Sequence, residues 1–152
     1  MIKINYPLYQ PKIKKELNIE YIFDELRKRW VMLTPEEWVR QNFLQYLIKV
    51  EGYPSTLIAV EKEIAVGELK KRFDIVVYDH GLKPWMVVEC KEMNVALDQT
   101  VLDQALRYNI NLRVAVLVIT NGNYCYAFSS DTGKLSELNK LPSFPSSGSS
   151  SP

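Results

Sequence analysis

Three ionisable residues sit within otherwise apolar runs. Asp74 lies in Arg72-Phe-Asp-Ile-Val-Val-Tyr-Asp79, and Glu89 and Lys91 lie in Pro84-Trp-Met-Val-Val-Glu-Cys-Lys91. Charge in such a place is costly unless it is paired or bound to a metal. Read as a hairpin turning between Gly81 and Leu82, the two runs pair residues whose numbers sum to 163, which sets Asp74 opposite Glu89. Directly opposed residues share a face, and side chains repeat with period two along a strand. Asp74, Glu89 and Lys91 are therefore expected together at one end of the hairpin. Two carboxylates and an ammonium there suit a divalent cation, with a lysine to stabilise a developing anion. The competing reading is a structural charge network at a sheet end, with Arg72 opposite Lys91.

The surrounding pattern indicates the elements that must hold these residues. Thr34-Pro35-Glu36-Glu37 is a helix start, with Thr34 as N-cap, Pro35 in the first turn and Glu37 placed for a capping box. Trp38, Val39, Phe43, Tyr46, Leu47 and Val50 recur at helical spacing, and Gly52 with Pro54 ends the run. Leu57–Val66 reads as extended, with a strand at Glu63–Val66, and Gly67 opens the turn into the hairpin. Ile75, Val77, Met86 and Val88 are expected on one face of that hairpin. Val76, Tyr78, Trp85 and Val87 are expected on the other, so the pair is covered on both sides. Asp98–Asn111 reads as a second helix, Arg113–Thr120 as an apolar strand, Asn121-Gly122 as a tight turn and Tyr124–Phe128 as the next strand. The fold class is α/β, a mixed central sheet flanked by helices on both faces.

Residues 1–142 are read as one domain. Within it, residues 1–33 form an extension holding one or two short strands in Tyr21–Leu33, packed outside the core. Residues 143–152, rich in Ser and Pro, are read as a flexible tail. Apolar content of 47%, charged content of 24% and a net charge of +1 are ordinary for a soluble globular chain and exclude a polybasic one. Cys90 and Cys125 lie in apolar runs and read as buried thiols of a reducing cytoplasm. His80 is the only histidine, which disfavours a zinc site or a His-activated nucleophile. No apolar run is long enough to span a membrane.

An Asp on one strand followed by Glu-x-Lys on the next, here Asp74 then Glu89-Cys90-Lys91, is similar to the PD-(D/E)xK nuclease pattern, with Phe73 in place of the usual proline. Gln104-Ala-Leu-Arg-Tyr108 on the following helix looks like a QxxxY element. Together with Pro35-Glu-Glu-Trp-Val-Arg-Gln41 and Ile119-Thr-Asn-Gly122, these residues resemble the N-terminal domain of type I restriction enzyme R subunits, over roughly Tyr21 to Phe128.

The resemblance implies Mg²⁺-dependent cleavage of DNA phosphodiesters, with Mn²⁺ as a substitute. It gives Asp74 and Glu89 as metal ligands, Lys91 as the charge stabiliser, and Gln104 and Tyr108 as positioning groups. Glu36 and Glu37 are candidates for a further ligand, although capping explains Glu37 equally well. Lys70, Lys71, Arg72 and Arg107 are candidates for DNA contact. No G-x-x-x-x-G-K-[ST] phosphate loop is present, so motor or specificity subunits of a restriction system are the expected partners. The alternative is a non-catalytic nucleic-acid-binding or assembly module that keeps the nuclease fold.

Overall fold

The computed structural model describes residues 1–131 and 134–146. The main sheet holds β1 (Ile2–Lys3), β5 (Ile58–Val66), β6 (Leu69–Tyr78), β7 (Pro84–Cys90), β8 (Val116–Thr120), β9 (Tyr124–Asp131) and β10 (Lys134–Leu138). Its order is β1-β9-β8-β7-β6-β5, with β10 also on β9. A smaller antiparallel sheet holds β2 (Ile13–Glu16), β3 (Ile19–Asp24) and β4 (Arg29–Met32). Helix α1 (Pro35–Gln45) precedes β5, and α2 (Gln99–Tyr108) joins β7 to β8, the parallel pair.

Thr34 caps α1 by accepting from the Glu37 amide at 3.0 Å. The reciprocal half of the expected capping box is not made, because the Glu37 carboxylate is taken by Arg40 and Gln41. The helix widens into a π-turn at Tyr46–Val50 and stops at Gly52, whose φ of +73° favours glycine. Asp98 caps α2 by accepting from the Val101 amide at 3.0 Å.

The hairpin register follows the sum of 163 at Ile75–Val88, Val76–Val87 and Val77–Met86, then shifts at a bulge after Val77. Val39, Phe43 and Leu44 of α1, with Leu47 of the π-turn, pack with Ile75, Val77, Met86 and Val88. Val76, Val87 and Leu117 form the opposite face, where Leu102 and Ala105 of α2 meet Ile119 and Phe128. Helices thus cover both faces of the sheet. Trp85 departs from expectation. Beyond the bulge it turns to the α1 side, against Tyr53 and Phe144, with ring centroids 5.5 Å away in each case.

Other departures have local causes. β5 runs the full Ile58–Val66, because the β5–β6 hairpin extends both strands around Gly67. Lys70, Lys71 and Arg72 accordingly lie in β6 and not in a turn. The extension forms three strands of its own sheet and lends β1 to the edge of the main one. Val50 and Tyr108 are exposed, and Trp38 is half-buried. At the start of the tail, Phe144 joins the Tyr53–Trp85 cluster and His80 meets its ring, while the Tyr53 hydroxyl donates to Pro142 O at 2.6 Å. Residues 147–152 of the expected tail lie outside the described residues. Cys90 and Cys125 are free and buried, and burial pushes both thiols up, Cys125 to about 12. Among the described residues no helix is long and apolar enough to cross a membrane.

Candidate functional site

A cleft of about 560 Å³ opens where β6 and β7 end beside α2. Asp74, Glu89, Lys91, Gln104 and Tyr108 all line it, with Glu36, Lys71 and Arg72. The cleft holds both carboxylates, but the expected pairing on one shared face is not formed: the β6–β7 ladder begins at Ile75 and Val88 and leaves out Asp74 and Glu89. Phe73 packs with Val76, and Ile75 packs with Val77 on the α1 side, so alternation slips by one residue at Asp74. Glu61, the β5 residue that the register would set opposite Asp74, has φ +51°, and neither residue joins the ladder. The slip turns the two carboxylates toward different helices.

Asp74 faces α1. Its Oδ1 accepts from Arg40 Nη1 at 3.0 Å, and its Oδ2 accepts from the Cys90 amide at 2.8 Å. Burial raises its pKa, and the Glu36 and Glu89 charges add to this, outweighing the opposing Cys90 amide and Arg40 guanidinium. Glu89 faces α2. Its Oε1 accepts from Lys71 Nζ at 2.7 Å and from Asn109 Nδ2 at 3.1 Å. Among the described residues Oε2 takes no hydrogen bond.

Arg40 extends the site inward. It pairs with Asp74, Glu37 and Glu61, and Glu37 also holds Gln41 and Arg27. Arg27 bonds Asp24 through Nε at 2.6 Å, and Asp24 is fully buried. Burial opposes ionisation of Asp24 and Glu37, but their hydrogen bonds to Arg27, Arg40 and Gln41 prevail and hold both carboxyls below their ordinary values. Glu37 is thus committed to an ion-pair network, and Glu36 is the glutamate of α1 that lines the cleft.

Lys91 flanks the cleft, and its amide donates to Thr120 O at 2.8 Å. Thr120-Asn121-Gly122 braces that end. Thr120 Oγ1 accepts from the Gly122 amide, and Asn121 donates to Val95 O and accepts from the Asn123 and Tyr124 amides. Gln104 is exposed at the rim. Tyr108, one turn on, receives the Lys71 ammonium over its ring at 5.2 Å. Of the expected DNA contacts, Arg72 is exposed at the cleft and Lys70 is exposed on β6. Lys71 is Glu89's counter-ion. Arg107 lines a different groove, with Leu106, Ile110 and Val114.

Arg40, Gln41 and Asn109 were missed from sequence. Glu37, Arg40 and Gln41 carry a signal, since spacing of three and four residues puts them on one helical stripe. Asn109 carries none, because its role depends on where α2 ends relative to β7.

Among the described residues no group of three or more His, Cys, Asp or Glu could hold a metal ion. The pair Asp74 and Glu89 supplies only oxygen donors at an open cleft. That donor set fits Mg²⁺, which is commonly held by one or two carboxylates with waters and substrate phosphate.

A mixed sheet with helices on both faces and a carboxylate-lined cleft is compatible with an α/β nuclease-like fold. Residues 35–145 match the family described as Type I restriction enzyme R protein N terminus, and the chain belongs to that family. No curated protein gives a significant match.

Proposed function

We propose that this domain is a Mg²⁺-dependent endonuclease of the PD-(D/E)xK kind, hydrolysing DNA phosphodiesters in the cytoplasm beside motor or specificity subunits. The observation that carries the reading is the meeting of Asp74, Glu89, Lys91, Gln104 and Tyr108 in one cleft. Asp74 and Glu89 would hold the ion, with Glu36 a further carboxylate lining the cleft. When bound, such an ion polarises a phosphoryl oxygen and makes water a better nucleophile. Lys91, which makes no ion pair among the described residues, stabilises the negative charge that grows at the phosphorus during attack. Gln104 and Tyr108 orient the phosphate from the rim, and Arg72 meets the neighbouring backbone. Arg40 fixes the Asp74 carboxylate and favours its ionised form against the burial that raises its pKa.

One observation favours a non-catalytic module instead: Arg40 and Lys71 already neutralise the two carboxylates. Supercoiled plasmid incubated with Mg²⁺ or Mn²⁺ decides between the readings. Wild-type protein should nick it, and Asp74→Asn, Glu89→Gln and Lys91→Ala should not. Binding of DNA without metal-dependent cleavage of any duplex or single-stranded form would favour the non-catalytic module.

A further inference from the structure

Residues 1–34 precede the matched stretch, and within them Ile13 to Met32 build the β2–β3–β4 sheet. Its registers set Lys14 opposite Tyr21, Tyr21 opposite Met32, and Phe23 opposite Trp30. Lys12 extends the second row, since its carbonyl accepts from the Phe23 amide at 2.9 Å. Period two puts these six side chains on one face. The other face carries Ile22 and Asp24, both fully buried. The outward face is a grid of aromatic and basic groups that also carries Ile19 and Glu16, whose carboxylate pairs with Lys14 Nζ at 3.0 Å. Lys14 Nζ lies 4.7 Å from the Trp30 ring centroid and 5.8 Å from that of Tyr21, and Lys12 Nζ lies 5.6 Å from that of Phe23. Trp30 is 38% exposed and Met32 53%.

Charge is distributed to match. Residues 1–33 carry seven Lys and Arg against four Asp and Glu, while the other 119 residues carry twelve against fourteen. The sheet is also fixed relative to the cleft, because Asp24 at the end of β3 begins the ion-pair network that ends at Asp74. A groove of about 530 Å³ is shared by the two, lined by Arg29, Trp30 and Met32 of β4 and by Glu36, Glu37, Glu61 and Asp74.

We propose that this face binds a DNA strand with unpaired bases, and that the groove delivers the strand to Asp74. Only the delivery step rests on the nuclease reading. Aromatic rings stack on the faces of unpaired bases, which a closed duplex does not present, while basic groups follow the phosphates. Exposed ammonium–ring contacts are weaker than base stacking, so Lys12 and Lys14 move from ring to phosphate as a base arrives. A protein partner is disfavoured, since lysine is depleted at protein interfaces and here it caps the rings.

The test is fluorescence anisotropy in EDTA with a labelled thymidine oligonucleotide of about a dozen nucleotides, sized to a single-strand site, and a duplex of equal length. Wild type should prefer the single strand and show quenched tryptophan emission on binding. Trp30→Ala should lose about tenfold in single-strand affinity, Trp30→Phe should keep most of it, and both should melt near wild type. Lys12→Ala with Lys14→Ala should flatten the salt dependence by roughly one to two units of slope. Three results would overturn the proposal: equal single-strand affinity for wild type and Trp30→Ala, a wild-type preference for duplex, or a wild-type dimer that Trp30→Ala dissociates. Because EDTA removes any metal, loss of strand binding in Trp30→Ala alongside a wild type that never cleaves DNA would sink the nuclease reading and leave the binding face standing.

Discussion

Arg40 Nη1 donates to Asp74 Oδ1 at 3.0 Å, and the same guanidinium holds Glu37 through Nε at 3.0 Å. One cation therefore satisfies a carboxylate of the cleft and a carboxylate of the interior. Arg40 and Glu37 side chains are 9% and 6% exposed, so neither is easily rehydrated in place.

Arg40→Met should cost on the order of 3 kcal/mol in urea unfolding, because it leaves buried Glu37 without its main partner. Arg40→Met combined with Glu37→Gln should recover part of that loss, since no buried anion then remains uncompensated at that position. An Arg40→Met protein as stable as wild type would mean that the network carries little of the fold's stability.

The same network fixes the acid response. Asp24 and Glu37 have depressed pKa values in the folded protein, so the stability they contribute is present above their unfolded values. That contribution falls away as pH drops through the folded values, below the ordinary range of about 4. Asp74 is raised and has the opposite sign: its contribution is present below the unfolded value and lost as pH rises through the folded one. With two residues against one, urea midpoints should hold level from about pH 7 to pH 5 and then fall steeply. Asp24→Asn should lower the plateau and flatten the fall. Midpoints that stay level down to about pH 3 would contradict this assignment.

The sequence conveyed the ladder well because a turn between Gly81 and Leu82 sets the sum of 163, which Ile75, Val76 and Val77 keep against Val88, Val87 and Met86. Gln104 and Tyr108 were singled out only by their likeness to a QxxxY element, and both line the cleft. The slip at Asp74 was not legible. It arises from β5, where Glu61 takes φ +51°, and nothing in Arg72-Phe-Asp-Ile marks it. The pairing of Lys71 with Glu89 was hidden for a similar reason. Beside Lys70 and Arg72 it looks like one of three solvated charges, and only β6 pairing reveals that it turns inward onto Glu89. β2 was hidden because Ile13–Glu16 carries no apolar alternation and pairs through its neighbours.

Gly122 ties the Thr-Asn-Gly turn to α1. Its φ is +93°, and a Cβ there would lie 3.1 Å from Val39 Cγ2 and 3.4 Å from Met93 Cγ. Gly122→Ala should therefore combine backbone strain with crowding of the α1 core and cost roughly 1–3 kcal/mol. Gly122→Ala with Val39→Ala should relieve only the crowding part. Thermal melting of the two proteins separates the terms, and no change in melting temperature for Gly122→Ala would show that the turn adapts freely.

Lys71 and Lys91 flank the same carboxylates and should respond in opposite ways to removal. Lys71 Nζ sits 2.7 Å from Glu89 Oε1, where it competes directly with any cation that Glu89 binds. Asn109 would still hold that oxygen after Lys71→Met, so the carboxylate should keep its position. Lys71→Met should then tighten Mn²⁺ binding several-fold in calorimetry, because an attraction of about 1–4 kcal/mol between unit charges at contact no longer has to be broken. Lys91 makes no ion pair among the described residues. Lys91→Met should leave Mn²⁺ affinity near wild type and lower cleavage by on the order of 10²–10³, the usual cost of losing one transition-state stabiliser. Lys71→Met should lower cleavage less than Lys91→Met at saturating Mn²⁺. Should Lys71→Met weaken Mn²⁺ binding and Lys91→Met leave cleavage intact, the two lysines would have to exchange roles, with Lys71 acting on the developing charge.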